Sequence, residues 1–411
     1  MPLMNASLTP FDHTVLPAGI RASFVAGING LSMHVLEAGF DAAPGEAKRP
    51  CVLLLHGFPE LAYSWRKVMP MLAAAGYHVI APDQRGYGRT VNTTEGWDGG
   101  YDGGLASFRV LNLVRDALAL VAAFGYRHAD VVGHDFGSRV AAWCALTRPD
   151  VFRSVVLMSA PFEGAPVLPF NTVGGAAQAE PRVEPKAAAI ARTLADLAKL
   201  PHPRKHYQWY YSTREANANM QHAPQGVHDF LRAYYHHKSA DWKQNQPCPL
   251  KEWSAAELAK LPTYYVMDQA QGMAETVAAE MPSAAAIAAC EWLPDHELAV
   301  YSSEYARNGF QGGLQWYRCG TEPAQSAELA LFAGRSIDVP SMFIAGKSDW
   351  GTYQNPGAFE RMRGTACTQM RDCHLIEGAG HWVQQEQPEA VSRLLQDFLQ
   401  TVKNHPGPAN Q

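Results

Sequence analysis

The sequence predicts an α/β fold, a mostly parallel central sheet flanked by helices, with a helical cap inserted into it. Three observations lead there. Short apolar runs alternate with helical periodicity over the first 160 residues, that alternation stops near Pro161, and it resumes near Val339. The stretch between is rich in Ala, Tyr, Trp and His and shows no convincing strand period. The implied organisation is a core from residues 1–160 and 339–411 and a cap from residues 161–338.

In chain order, Val25 to Ile28 and Leu31 to Leu36 read as a hairpin turning at Asn29-Gly30, a dipeptide that supplies the positive φ a tight turn needs. Cys51 to Leu55, His78 to Ala81, Val131 to Val132 and Val155 to Met158 are short apolar runs bounded by turn residues, the pattern of strands covered on both faces. Between the second and third runs, Val110, Leu113, Val114, Ala117, Leu118 and Val121 share one helical face. Strand, helix, strand implies right-handed crossovers and a parallel sheet with helices on both sides. After the interruption, Ser341 to Ala345 reads as a strand, Ala358 to Met362 as a helix and His374 to Ile376 as a strand. Pro388 opens a closing helix with Val391, Leu394, Leu395, Phe398, Leu399 and Val402 on one stripe. In the cap, Lys186 to Leu200 and Ser254 to Leu261 read as helices, and the tail His405 to Gln411 reads as frayed.

Composition excludes several classes. Among 411 residues, 34 basic against 39 acidic side chains leave a charge of −5, which argues against a nucleic-acid or anionic-membrane partner. With 47% hydrophobic and 18% charged residues, the chain has ample material for a core. Seven cysteines without a C-x-x-C pair argue against a disulfide scaffold or zinc cluster and for a reducing compartment. No apolar run reaches the roughly 18–20 residues of a membrane span, and the N-terminus lacks a secretory pattern, so a cytoplasmic protein is expected. The sequence carries no sign of oligomeric state.

The chemistry concentrates in Gly133-His134-Asp135-Phe136-Gly137, where a strand gives way to a helix. Small residues two positions either side of a nucleophile let the two backbones approach while its side chain is thrust into a pocket. Here that position holds Asp135. A carboxylate attacking a saturated carbon leaves an alkyl ester whose carbonyl belongs to the enzyme, so water can cleave it and restore the aspartate. An electrophilic sp3 carbon with a leaving group is the implied target, as in an epoxide or an alkyl halide. The plainer alternative is that Asp135 caps the next helix.

His381, in Gly378-Ala379-Gly380-His381-Trp382, follows a strand late in the chain and is the candidate general base. Asp349, just after the strand at Ser341 to Ala345, is the acid that would hold the imidazole tautomer; Glu163 is its rival. The loop His56-Gly57-Phe58-Pro59 and the residue after the nucleophile nominate the backbone N–H groups of Phe58 and Phe136 as an oxyanion hole. Asp83-Gln84-Arg85-Gly86-Tyr87-Gly88 reads as structural loop chemistry. The adjacent histidines His236 and His237 point about 100° apart on a helix, with no obvious carboxylate partner, so no metal site is read there.

Together, H-G-F-P-E with Y-S-W-R at 56–66, D-Q-R-G-Y-G at 83–88, G-H-D-F-G at 133–137 and G-A-G-H-W at 378–382 resemble the α/β-hydrolase superfamily and, within it, the soluble epoxide hydrolases. The resemblance implies the α/β-hydrolase fold and a cofactor-free enzyme acting on a small apolar epoxide and water. It further implies that Tyr317, in Gly309-Phe310-Gln311-Gly312-Gly313-Leu314-Gln315-Trp316-Tyr317-Arg318, donates a proton to the epoxide oxygen. The second donor matches Tyr207, with Tyr210 and Tyr211 close by. The stretch 226–294 looks longer than the family's usual cap, and Trp209, Trp242, Trp253 and Trp316 suggest an apolar pocket. The alternatives are a haloalkane or haloacid dehalogenase, which often places Trp where Phe136 stands, and a catalytically silent binding protein.

Overall fold

The Asn29-Gly30 turn, with φ of 49° and 81°, joins β1 (Ile20–Ile28) to β2 (Leu31–Ala38) as an antiparallel pair, longer at its outer end than the sequence pattern suggested. These coordinates belong to a computed structural model that describes residues 8–40, 47–93, 99–167 and 186–404. The tail expected to fray, His405 to Gln411, lies outside them.

Seven further strands complete the core: β3 (Cys51–Leu55), β4 (His78–Pro82), β5 (Val91–Asn92), β6 (Ala129–His134), β7 (Phe152–Met158), then β10 (Ser341–Gly346) and β11 (Met370–Ile376) after the cap, which holds β8 (Arg204–His206) and β9 (Val266–Asp268). The order across the sheet is β1-β2-β4-β3-β6-β7-β10-β11, with β5 beside β2. Everything from β4 to β11 is parallel, and β1 and β2 are antiparallel additions at one side. Every residue of β3, β4 and β10 is buried, which only helices on both faces can achieve.

Helices α1 (Met69–Ala74), α2 (Val110–Ala123) and α3 (Phe136–Thr147) follow β3, β5 and β6. The expected face of α2 is buried at Val110, Leu113, Val114, Ala117 and Val121, with Leu118 packed at its margin. The closing helix Pro388–Asn404 buries Val391, Leu395, Phe398 and Leu399. Ala358–Arg361 is helical as read, and the turn widens to a π-helix from Met362.

Between β7 and β10 the chain forms the cap, largely of helices. One expectation fails: β8 and β9 pair antiparallel in a two-stranded sheet where no strand was read. Each has three residues, too short for a period of two to emerge. The helix from Lys186 ends at Leu197 and not at Leu200, and the Ser254 segment is helical only over Ala255–Leu258.

The cap meets the core through backbone. A Cβ on Gly312 would lie 1.9 Å from the carbonyl oxygen of Gly86, and one on Gly313 would lie 2.6 Å from the Phe58 ring. Two glycines therefore let the helix Gln311–Thr321 rest directly on the loops after β3 and β4. Tyr235 and Tyr305 add hydroxyl bonds to the carbonyls of Pro59 (3.0 Å) and Glu60 (3.2 Å). The buried Arg66 guanidinium joins Glu297 and Tyr301 of the cap to Gln385 of the core.

Candidate active site

Asp135 sits between β6 and α3 with φ 52° and ψ −119°, a conformation that costs free energy for any residue with a Cβ. The turn is held closed from both sides. A Cβ on Gly133 would lie 2.1 Å from the Gly137 carbonyl oxygen, and one on Gly137 would lie 2.3 Å from that of Leu55. Only glycine fits either position, which explains the G-x-D-x-G spacing.

The Asp135 side chain makes no helix-capping bond, so the plainer reading of this residue does not hold. Its Oδ1 accepts the Phe58 N–H at 3.0 Å, and its Oδ2 lies 3.2 Å from His381 Nε2. On the far side of that ring, Nδ1 stands 3.0 Å from Asp349 Oδ1, which also accepts the Gly351 N–H at 2.7 Å. Asp135, His381 and Asp349 are all buried, at 8%, 1% and 2% exposure, so these contacts act with little solvent screening. The rival acid, Glu163, is exposed and pairs with Arg361 at the surface.

The electrostatics favour ionised carboxylates. Burial by itself would raise the Asp135 pKa, but the hydrogen bond and charge of His381, aided by Lys238 and His134, hold it well below the usual carboxylate range. Asp349 is likewise lowered, His381 again outweighing burial.

Phe136 opens α3 directly after Asp135. Its ring packs on Trp316 and Tyr317, each with centroids 5.2 Å away. Tyr317 also meets Phe58 (5.5 Å), Tyr211 (5.0 Å) and Tyr207 (5.8 Å). The Tyr207 hydroxyl donates to Gln354 of the core at 3.1 Å and accepts from Gln208 at 3.2 Å. Of the nearby alternatives, Tyr211 is committed to Tyr234 (3.2 Å), and the Tyr210 ring lies under the Lys205 ammonium. Burial first, and then the Asp135 charge, push the Tyr207 and Tyr317 phenols well above their ordinary pKa, so both stay protonated donors.

The tryptophans lie elsewhere than the sequence suggested. Trp209 and Trp253 pack around His206, and Trp242 packs against the buried His237. Of the four, only Trp316 joins the aromatic cluster beside Asp135. Trp242 and Trp316 each spend Nε1 on a fixed partner, Glu280 and the Arg85 carbonyl. Among the described residues no three His, Cys, Asp or Glu side chains converge as metal ligands.

Three features escaped the sequence reading. His134 and Glu60 stand inside quoted motifs without an assigned role, yet His134 Nδ1 is 2.5 Å from Glu60 Oε2 and its Nε2 bonds the His381 carbonyl at 2.7 Å. The Lys238 ammonium is buried over the rings of Tyr265 (5.0 Å) and Trp382 (5.3 Å), while its carbonyl accepts the His381 N–H. Glu386 accepts three backbone N–H groups around the His381 loop. Motif spacing carries no trace of Lys238, whose partners are distant in the chain, or of Glu386, which binds backbone N–H groups that any residue offers.

Comparison with known proteins shows the family. Residues 50–388 match the family model described as alpha/beta hydrolase fold. The chain is 30% identical over 367 residues to epoxide hydrolase B of Mycobacterium tuberculosis, covering 87% of this chain and 93% of that protein. It is 31% identical over 375 residues to epoxide hydrolase A of the same organism, covering 90% and 95%. A solved epoxide hydrolase from an endophytic Streptomyces superposes with a TM-score of 0.70 at 30% identity, covering 94% of this chain and 97% of that one. The chain belongs to the alpha/beta hydrolase fold family and, within it, to the epoxide hydrolases. No helix among the described residues is long and apolar enough to cross a membrane.

Proposed function

We propose that the protein converts an apolar epoxide and water to a vicinal diol through a covalent ester on Asp135, with residues 1–160 and 339–411 as core and 161–338 as cap. The observation that carries this reading is the unequal surroundings of the two Asp135 oxygens. Oδ1 is held by the Phe58 amide, and Oδ2 faces His381. Oδ2 attacks a ring carbon; the C–O bond breaks, and its electron pair passes to an oxygen that takes a proton from Tyr207 or Tyr317. Burial of the site strengthens the phenol-to-oxygen hydrogen bonds as charge develops.

In the second half, His381 removes a proton from water, and the resulting hydroxide adds to Cγ of Asp135. Charge then develops on Oδ1, where the N–H groups of Phe58 and Phe136 stabilise it. Asp349 fixes the imidazole tautomer and balances the imidazolium. Collapse releases Oδ2 with the diol as the imidazolium returns its proton to the departing oxygen; the proton left on the new Asp135 carboxyl restores the phenol, and an oxygen from water remains in Asp135. Each residue acts where its surroundings suit it: ionised nucleophile, neutral phenols, oriented base. A cytoplasmic setting suits the seven free cysteines, four of them buried.

The test is product chemistry. Aryl- and alkyl-substituted epoxides incubated with the enzyme should give diols, and chlorinated alkanes of similar shape should release no halide. Halide release without diol formation would instead assign a dehalogenase.

A further inference from the structure

The loop that carries His381 is held by more than its neighbours in sequence. The Oε2 of Glu386 accepts the N–H of Gly380 at 2.9 Å and that of Ala240, in the cap, at 2.8 Å; its Oε1 accepts the N–H of Trp382 at 3.0 Å. One carboxylate thus grips both residues flanking His381 and ties them to the segment just beyond the cap helix Gly226–Lys238. Capping of the short helix Val383–Glu386 accounts for the Trp382 bond alone. It does not account for Gly380 or Ala240, which lie outside that helix.

Close packing makes the grip directional. A Cβ on Gly380 would lie 2.5 Å from the Ser239 backbone, so the histidine loop and the cap backbone touch. The remaining polar groups of the His381 backbone are also engaged: its N–H donates to the Lys238 carbonyl at 2.9 Å, and its carbonyl accepts from His134 Nε2 and from Ser159 Oγ at 3.1 Å. Glu386 is the one side chain of this set that spans cap and loop together. Burial raises the Glu386 pKa to about 8 even against these three N–H bonds, so the grip lies in the bonds' geometry and not in a full charge, and losing the side chain releases both sides at once.

We propose that Glu386 is a positioning residue for ester hydrolysis: by joining Gly380, Trp382 and Ala240 it fixes the His381 imidazole at the distance from Asp135 that water activation needs, with the cap seated. This rests on the reading of Asp135 as nucleophile and His381 as base. His381 serves the second half-reaction, so the consequence is selective. Loosening the loop should slow breakdown of the ester and spare its formation.

The experiment is rapid-quench intact mass spectrometry with a monosubstituted aryl epoxide, following the ester in the parent enzyme, in Glu386→Ala and in Glu386→Gln. The glutamine variant keeps one acceptor oxygen and the volume of the side chain, so it serves where alanine prevents folding. Ester formation should stay within about threefold of the parent, while ester decay slows by about tenfold or more in Glu386→Ala and by less in Glu386→Gln. Parent-like decay in Glu386→Gln, or equal slowing of formation and decay in either variant, overturns the proposal. Absence of any ester in the parent overturns the Asp135 chemistry, and the role of Glu386 with it.

Discussion

His381 Nε2 lies 3.2 Å from Asp135 Oδ2, while the other oxygen of that carboxylate, 3.0 Å from the Phe58 N–H, is already in an oxyanion-stabilising position. In the proposed mechanism the nucleophile and the electrophile of the two half-reactions are the same side chain, and its two oxygens divide the work. Variants should therefore separate the two halves. Asp135→Ala should abolish turnover, whereas His381→Gln should form the ester and fail to release it. Mass spectrometry of the quenched histidine variant checks this; normal turnover in that variant would contradict it.

In the proposed mechanism the phenols control the first half. Tyr317→Phe and Tyr207→Phe should each slow ester formation by about a hundredfold, the range of a single general acid, with a larger loss in the double variant. Stopped-flow measurement of the alkylation phase reads this directly.

The pH dependence of that phase follows from the pKa directions. Asp135 is lowered and both phenols are raised, so neither protonation of the nucleophile nor ionisation of the donors limits alkylation between about pH 5 and pH 9. The predicted alkylation rate is flat across that window under single-turnover conditions. An alkaline fall inside it would show a phenol ionising.

Seating of the cap can be tested at Gly312. A Cβ there meets the Gly86 carbonyl at 1.9 Å, so Gly312→Ala must lift the helix that carries Tyr317. Alkylation should drop tenfold or more, by the general cost of about 1 Å of misplacement, while breakdown of preformed ester changes less. Comparison of the two rate constants decides it.

How far the sequence could be read is clearest in particular residues. Asp135, His381 and Asp349 were legible because each lies at the carboxyl end of a strand, in a turn whose glycines reveal the crowding around it. Tyr317 came from a long matched stretch, and its glycines now have a reason: they let the cap helix touch the core. Glu60, Lys238 and Glu386 were not legible as site residues: the rings that Glu60 and Lys238 meet are distant in the chain, and Glu386 binds backbone N–H groups, which leave no mark on side-chain spacing. The β8–β9 pair was missed because three-residue strands carry too little pattern.

Stability should reflect the same buried charges. Glu60 is fully buried against His134, with its pKa lowered because the His134 charge and hydrogen bond outweigh burial. Glu60→Ala should cost about 3–5 kcal/mol, the effect of leaving a buried partner uncompensated, by denaturant unfolding. Glu60, Asp135 and Asp349 all have lowered folded-state values, so their contribution is complete above about pH 5, just over the unfolded values, and is lost as pH falls toward the lower folded values. Acid unfolding monitored by circular dichroism should begin below that point.

The central claim, that an enzyme oxygen becomes the oxygen of the product, is tested by a single turnover in heavy-oxygen water with enzyme in excess. The account predicts an unlabelled diol and one heavy oxygen in the peptide containing Asp135. A labelled diol from that first turnover, with Asp135 unlabelled, would mean that water attacks the epoxide directly and would contradict it.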